Sequence, residues 1–587
     1  MSTILGINAY HPGASAALIV DGVPVSAIAE ERLNRKKYYA GFPRRAIEYC
    51  LETAGLGFKD LDHVAIGRSP QANRTRKILY ASRNPKKLLN LLKIKNSRNA
   101  LNHVKQIIGA ECQVDIKHLK FDVRYVEHHL AHIASAYFIS PWDQCAGISI
   151  DGSGDFVSCM FAKCEGPDIH VIRRIFVPNS LGTLYSTICE FIGYGQYGDE
   201  GKVMGLAPLG DDNYSQLLKE MVSIHSRGFT LNSEYILPFG SDDGMNINLD
   251  GSVELSRHYS DKLVRLLGPS RVVGDEITKR DKDLARSLQH RFEEVYLHLL
   301  QLLHVRTGQD RVAMAGGCTL NSVANGLISD RTGFSHSCIQ PAAGDDGLAL
   351  GAALYVSNKL LTEGQRWEMT GSYLGPEYSD EAIVSELQSR QLAYRKLDDN
   401  QMVEEAAQRL ASGEILGWFR GRAEWGPRAL GNRSILAHPG LTHMKDALNA
   451  RIKHREAFRP FAPAVLAEMQ DEVFVGSSPS PFMLHVHKIQ KNWRERLCAV
   501  NHVDDTGRLQ TVTRESNLLF HKLISAFYDK TGIPVLLNTS FNENEPIVCA
   551  PSEAVDCFLR TQMDSLVIGS YLCSKKDLPG KQVAADK

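Results

Sequence analysis

Residues 146–166 read AGISIDGSGDFVSCMFAKCEG. An apolar run closes on a turn of glycine, serine and aspartate, and a second apolar run follows, the pattern of a strand, a tight turn and an antiparallel strand. The chain has used this text once before. Residues 1–30 alternate ILGIN, SAALIV and VPVSAIAE with turns, and the Asp21–Gly22 pair is a two-residue hairpin signal because both residue types tolerate the left-handed region. A three-stranded antiparallel meander is predicted at the N-terminus, and its return near residue 146 predicts an internal duplication of one supersecondary unit.

Outward from that stretch, DLARSLQHRFEEVYLHLLQLL (283–303) sets Leu284, Leu288, Phe292, Val295, Leu299 and Leu302 at steps of three and four, an amphipathic helix. It leads into RVAMAGGCTLN (311–321), a strand closing on two glycines. PAAGDDGLALGAALYVS (341–357) then reads as an aspartate-rich turn opening a helix of small residues. Strand, glycine turn and helix in that order favour anions, because N–H groups are exposed at the helix start. After about residue 360 the text becomes a polar connector, so the domains are placed at 1–365 and 366–572, with 573–587 as a flexible tail.

A chain of 587 residues exceeds one compact core, and two or three domains are expected. Lys plus Arg equals Asp plus Glu at 67 each, so the overall charge argues for neither nucleic acid nor an anionic membrane. Twelve scattered cysteines with no CxxC pair read as reduced thiols. No apolar run approaches the ~20 residues of a membrane span. A soluble, cytoplasmic protein is expected. Residues 71–110 carry Arg and Lys repeatedly with no Asp or Glu, either a solvated helical insertion (about 70–110) or an anion-attracting lid.

VEHHLAHIASAYF (126–138) puts His128 and His132 four apart, on one face of a helix, and turns His129 away. Such a pair can offer two imidazole nitrogens to one metal, or can be an ordinary helix start. Asp151 at the end of the strand and Asp345 in the GDDG turn are candidate oxygen ligands, with Asp346 the rival to Asp345. Two histidines and oxygen ligands suit Fe(II), Mn(II) or Zn(II) better than Ca(II).

HHLAHIASAYF, ISIDGSGD, GDEGKVMGLAPLG, AMAGGCTLNSVANG, PAAGDDGLALGAAL, GRAEWGPRALGNRSILAHP, FRPFAPAV and LLNTSFNENEPIV, in this order and across almost the entire chain, resemble the O-carbamoyltransferases of the nodulation-protein, cephalosporin, novobiocin and tobramycin type. The resemblance implies an α/β architecture. Its N-terminal domain would be a duplicated one of the actin, sugar-kinase and Hsp70 fold, close to the tRNA threonylcarbamoyl transferases; its C-terminal domain would resemble the threonylcarbamoyl-AMP synthase. It further implies ATP, with Mg2+, and carbamoyl phosphate as co-substrate. The C-terminal domain would make carbamoyl-adenylate, and the N-terminal domain would pass the carbamoyl group to a hydroxyl. His128, His132, Asp151 and Asp345 become an iron-type site for Fe2+ or another divalent metal.

Holding two polyanions together needs guanidinium and ammonium groups, Arg as a bidentate fork and Lys as a point charge. Arg428, Arg433, Lys453, Arg459 and Arg508 sit in turns rich in Gly, Pro and Asn, and the resemblance adds Asn538, Ser540 and Asn542 as carbamoyl phosphate and ATP ligands, with Arg428 and Lys453 catalytic. It puts Lys202, Gly316, Gly317 and Asn321 at the adenylate in the N-terminal domain. His11 is a candidate general base toward the acceptor, or a solvent-exposed turn histidine, and Lys37 is expected to face the acceptor or phosphate. Pro12 stands where the family commonly has an acid, which bears on how His11 is oriented. The expected partner is a small-molecule hydroxyl on a secondary metabolite, with no nucleic acid and no membrane; a homodimer is left open. The other readings are a tRNA-modifying carbamoyl transferase and a kinase or ATPase of the actin-like fold.

Overall fold

The computed structural model describes residues 2–83, 103–237, 245–360, 367–476 and 478–577. The chain divides into two compact units, Met1–Met369 and Thr370–Lys587.

Two sheets of five strands frame the first unit. In one, β1 (Thr3–Asn8), β2 (Ser15–Val20) and β3 (Val23–Ala29) form the antiparallel meander, and β4 (His63–Ile66) and β5 (Asp122–Tyr125) extend β1 in parallel, giving the order β3-β2-β1-β4-β5. In the other, β6 (Gln144–Gly154), β7 (Val157–Glu165) and β8 (Asp168–Phe176) form the meander, and Arg311–Ala315 and His336–Ile339 extend β6 in parallel. Strand order and strand sense are the same in both sheets. The duplication expected from the text is therefore a duplication of topology, the architecture of the actin and sugar-kinase class.

Each meander reverses through two left-handed residues, Asp21 and Gly22 at φ 49° and 85°, and Asp155 and Phe156 at 51° and 73°. Such turns match the strand twist and suit Asp and Gly; a Phe there is strained. The surrounding contacts must hold it, and the Asp155 carboxylate is part of them, as described below.

The long helix Lys279–Thr307 starts on a capping box of Thr278 and Asp281 and stops at Gly308, φ 63°. Its stripe of Leu284, Leu288, Phe292, Val295 and Leu299 is buried. A helix of small residues, Leu348–Leu360, lies against both β1 and the His128–Tyr137 helix. A Cβ on Gly6 would stand 1.9 Å from Ala349 O, and one on Gly351 would stand 2.0 Å from Ala131 O. Only glycine permits these approaches, which bring Asp345 at the helix start toward the histidine pair.

The second unit is built on one mixed sheet of nine strands, with Leu416–Phe419, Arg433–Ala437, Val535–Ser540, Ala462–Leu466 and Thr506–Val512 adjacent in that order through its centre. Helices Asp399–Ala411, Leu518–Thr531 and Pro551–Arg560 cover it with apolar faces that include Met402, Phe520, Phe527 and Phe558.

Residues 573–577 of the expected tail belong to the fold, and 578–587 lie outside the described residues. Tyr571–Ser574 pair antiparallel with Ser565–Ile568 and Cys573 is buried, since Leu572 and Cys573 supply apolar side chains to both faces of the sheet; a turn then runs to Asp577. Of the basic insertion, Arg74–Arg83 and Val104–Glu111 are helices, and residues 84–102 lie outside the described residues. No described helix is long and apolar enough to cross a membrane.

Candidate functional site

The His128–Tyr137 helix has no side-chain cap of its own. Its first N–H is taken instead by Asp155 Oδ2 at 3.0 Å, from the strained turn. Glu127, just before it, is gripped by Arg174 through two bonds of 2.9 and 2.7 Å. Gly154 leaves room for the His128 ring, since a Cβ would stand 2.1 Å from it. The helix is thus fixed at the end that carries His128 and His132.

Both imidazoles are fully buried and face two buried carboxylates. His128 Nε2 lies 3.4 Å from Asp151 Oδ2 and 3.5 Å from Asp345 Oδ1; His132 Nε2 lies 3.9 and 3.3 Å from the same oxygens. One ligand atom from each residue falls within a 4.8 Å span. His132 Nε2 makes no hydrogen bond in spite of these approaches. Four donors of mixed N and O type converging on one point, one of them an unsatisfied buried nitrogen, fit a divalent transition metal. Asp151 is oriented by the Gly317 N–H at 2.8 Å on its other oxygen.

The electrostatics agree. Burial opposes ionisation of Asp151 and Asp345, yet the imidazoles outweigh it: Asp151 is pushed down to about 2 and Asp345 well below the carboxylate range. His129 has both ring nitrogens taken, by Ser149 Oγ and Val157 O at 2.8 Å, and burial pushes it down to about 3. It is a structural histidine.

Asp345, not Asp346, joins this cluster. Asp346 is pushed up to about 7, first by burial and then by Glu31 and Asp345. His11 is not a solvent-exposed turn residue: its Nδ1 pairs with Asp345 Oδ2, and burial holds its pKa down against the pull of that carboxylate. Gly13, φ 77°, lets the turn approach, because a Cβ would stand 2.8 Å from Asp346 N. Lys37 is exposed, in the 35–41 loop.

The four residues expected at the adenylate are held by the protein itself. Lys202 pairs with Asp199 at 2.7 Å. The Gly316 N–H goes to Ala343 O at 2.7 Å, and the Gly317 N–H goes to Asp151, so this glycine pair builds the cluster and has no N–H left to cradle phosphate. Asn321 caps the short Ser322–Asn325 helix and exchanges two bonds of 3.0 and 3.1 Å with Gln289.

In the second unit Arg428, Arg455, Arg459 and Arg508 bear on one another electrostatically, and Lys453 lies within the influence of Arg455 and Arg459. Burial first, and the neighbouring cations second, press Arg455, Arg508 and Lys453 below their ordinary values. Arg508 Nε, Arg455 Nη2 and Asn449 Nδ2 are buried donors without hydrogen-bond partners. A crowd of like charge with idle donors is built for an anion.

The loop bearing Arg428 is fixed before any ligand arrives: Glu424 Oε1 accepts the N–H groups of Leu430, Asn432 and Arg433 at 2.7, 2.8 and 3.0 Å. Asn538 and Gln510 tie it to the sheet through Ala429 O and Leu430 O at 3.2 and 2.9 Å. Two expectations change here. Arg433 spends its guanidinium on the carbonyls of Arg420, Gly421, Asn432 and Pro376, over the Phe419 ring, and is a brace of the fold. The Lys453 ammonium is taken up by Ser540 O, Asn542 O and Asn542 Oδ1 at 2.6 to 2.8 Å, so it pins the 540–542 turn rather than reaching outward. Ser540 Oγ in turn donates to Asn542 Oδ1 at 2.7 Å.

The sequence reading missed Asn449, which opens the π-helical turn Asn449–Lys453, and Arg455, two residues past that turn; such turns are frequent at functional sites. It also missed Arg68, just past β4, where VAIGRSP repeats the strand-then-glycine grammar read elsewhere.

Fold and sites define a class: a duplicated α/β unit with a buried cluster of two histidines and two aspartates, joined in one chain to a unit with a half-buried crowd of cations. The chain belongs to the carbamoyltransferase family, matching the family model for the carbamoyltransferase N-terminus over residues 3–354 and that for the C-terminus over 407–575. It is a carbamoyltransferase enzyme. Nodulation protein NolNO of Sinorhizobium fredii is 39% identical over 578 residues, covering 97% of this chain and 80% of the relative. An uncharacterized protein of Synechocystis sp. is 36% identical, covering 99% and 98%. Among solved structures, HypF of T. kodakarensis aligns over 61% of this chain and 48% of its own at 14% identity, with a TM-score of 0.30, too low to add to the topology.

Proposed function

We propose that the chain is an ATP-dependent O-carbamoyltransferase that makes carbamoyl-adenylate in the second unit and transfers the carbamoyl group to a hydroxyl of a small-molecule natural product in the first. The observation that carries this reading is the half-buried crowd of Arg428, Arg455, Arg459 and Arg508, with buried idle donors on Arg455 and Arg508. One phosphate would satisfy part of it; carbamoyl phosphate and the triphosphate of ATP together would satisfy it fully.

The balance of the first step requires one water: carbamoyl phosphate gives up phosphate, and the carbamate oxygen takes the α-phosphorus of ATP as pyrophosphate leaves with the bonding pair. Lys453, pinned between Ser540 and Asn542, keeps that turn against the cations.

In the second step the acceptor oxygen bonds the carbamoyl carbon, the carbon–oxygen bond to phosphate breaks, and AMP leaves with the pair. A divalent metal held by His128, His132, Asp151 and Asp345, Fe2+ being the expected ion, would supply Lewis-acid polarisation of a carbonyl or phosphate oxygen. His11, pressed toward neutrality by burial and oriented by Asp345, is suited to take the hydroxyl proton.

The test is pyrophosphate release from ATP with and without carbamoyl phosphate. Release that depends on carbamoyl phosphate supports the reading; ATP turnover indifferent to it, or ADP as the product, would sink it.

A further inference from the structure

β4 runs on into GRSP (67–70), and these residues are tied on three sides. The Gly67 N–H points to Ile7 O at 3.5 Å, extending the pairing with β1 toward His11. A Cβ on Gly67 would stand 2.8 Å from Leu348 Cβ, three residues past Asp345. The Ser69 N–H donates at 2.9 Å to Asp155 Oδ2, the oxygen that also takes the His128 N–H. Arg68 therefore sits between the elements that deliver His11, Asp345 and His128, and its charge bears on both histidines.

Arg68 is half-buried and, among the described residues, has no hydrogen-bond or ion-pair partner. The acids nearby are committed elsewhere: Asp155 to two backbone N–H groups, and Glu127 to Arg174. Charge balance makes this residue notable. Two aspartates cancel one divalent cation, and Lys202 is cancelled by Asp199. A metal-loaded cluster thus has no net positive charge to offer a phosphate, and an anion brought into a partly dry site needs one.

We propose that Arg68 is a catalytic residue of the transfer step, its guanidinium meeting the phosphate oxygens of the activated carbamoyl group. This rests on the adenylate reading above. As the acceptor oxygen bonds the carbamoyl carbon and the carbon–oxygen bond breaks, the electron pair stays on the phosphate oxygen, so AMP leaves with one more negative charge than the bound phosphate had; the hydroxyl proton goes to His11. A cation facing that oxygen is worth more as the charge grows than before, which is the condition for catalysis.

The experiment titrates AMP and, separately, adenosine into full-length, metal-loaded protein by calorimetry, in the Arg508→Met background so that the second unit's site is silenced. Arg68→Met is expected to weaken AMP about 10- to 100-fold and leave adenosine unchanged, with Arg68→Lys recovering part of the loss. AMP binding unchanged in Arg68→Met overturns the inference, and so does an equal loss for AMP and adenosine, which would mean a damaged fold. Wild-type pyrophosphate release is run alongside. If it depends on carbamoyl phosphate while AMP ignores Arg68, the inference alone falls; if it does not, the adenylate reading falls and takes the inference with it.

Discussion

In the first unit four ligand-type side chains converge although two are acids, and in the second, guanidiniums and an ammonium converge although all are cations. Burial alone would separate each group. The acids are held together by imidazoles, and the cations by a scaffold of backbone and amide contacts. Each arrangement is one ion short of balance, with opposite sign: the first wants a cation, the second an anion.

The sharpest way to break that contrast is to remove one partner from each side. His128→Ala or Asp345→Asn should abolish bound metal, read by elemental analysis, and lower carbamoyl transfer at least about 1,000-fold while leaving pyrophosphate release intact. Arg508→Met should do the reverse, lowering pyrophosphate release about 100-fold with metal content unchanged. If either variant removes both activities while remaining folded by circular dichroism, the division of labour between the units is wrong.

Ligand-linked stability sharpens it. A divalent metal should raise the unfolding temperature of the first transition and pyrophosphate that of the second, each by about 2.7 kcal/mol of stability at one hundred times its dissociation constant. Differential scanning calorimetry with each ligand alone would show one transition moving and the other still.

The smallest expected effect is in pH. Glu30, buried and accepting the Ala46 N–H at 2.8 Å, is pushed up to about 7 mainly by burial. The native state holds this proton to higher pH than the unfolded chain does, so stability is lost as pH rises from about 4.5 to 7. Glu30→Gln should therefore gain on wild type by about 2 kcal/mol between pH 5 and pH 8 in thermal melts. Lys453 has the opposite sign. Its pKa is pressed down, so native stability rises with pH there. A melt of Glu30→Gln parallel to wild type across that range would remove the contrast at this level.

The duplication was legible because hairpin text is local: apolar runs broken by short turns recur in residues 1–30 and 146–166. The histidine pair was legible because helical spacing fixes a shared face. Direction inside a turn is not local, and there the reading thinned. Arg428 and Arg433 stand five apart in one glycine-rich loop and look alike on paper, yet one belongs to the cation crowd and the other is wrapped in carbonyls. Asp345 and Asp346 are neighbours with opposite titration, decided by which of them faces His11 and His128. Arg455 was passed over because its partner Asn449 sits on a π-turn that no periodicity announces.

Glu424 leaves one further consequence, and it concerns time. Because the Arg428 loop is wound around an oxygen of its own, no loop has to close before an anion is captured there. Encounter with the second unit should then be governed by diffusion and by the field of the arginines. Stopped-flow binding of pyrophosphate should show a single phase whose rate rises linearly with concentration, slows steeply with added salt, and warms no faster than water thins.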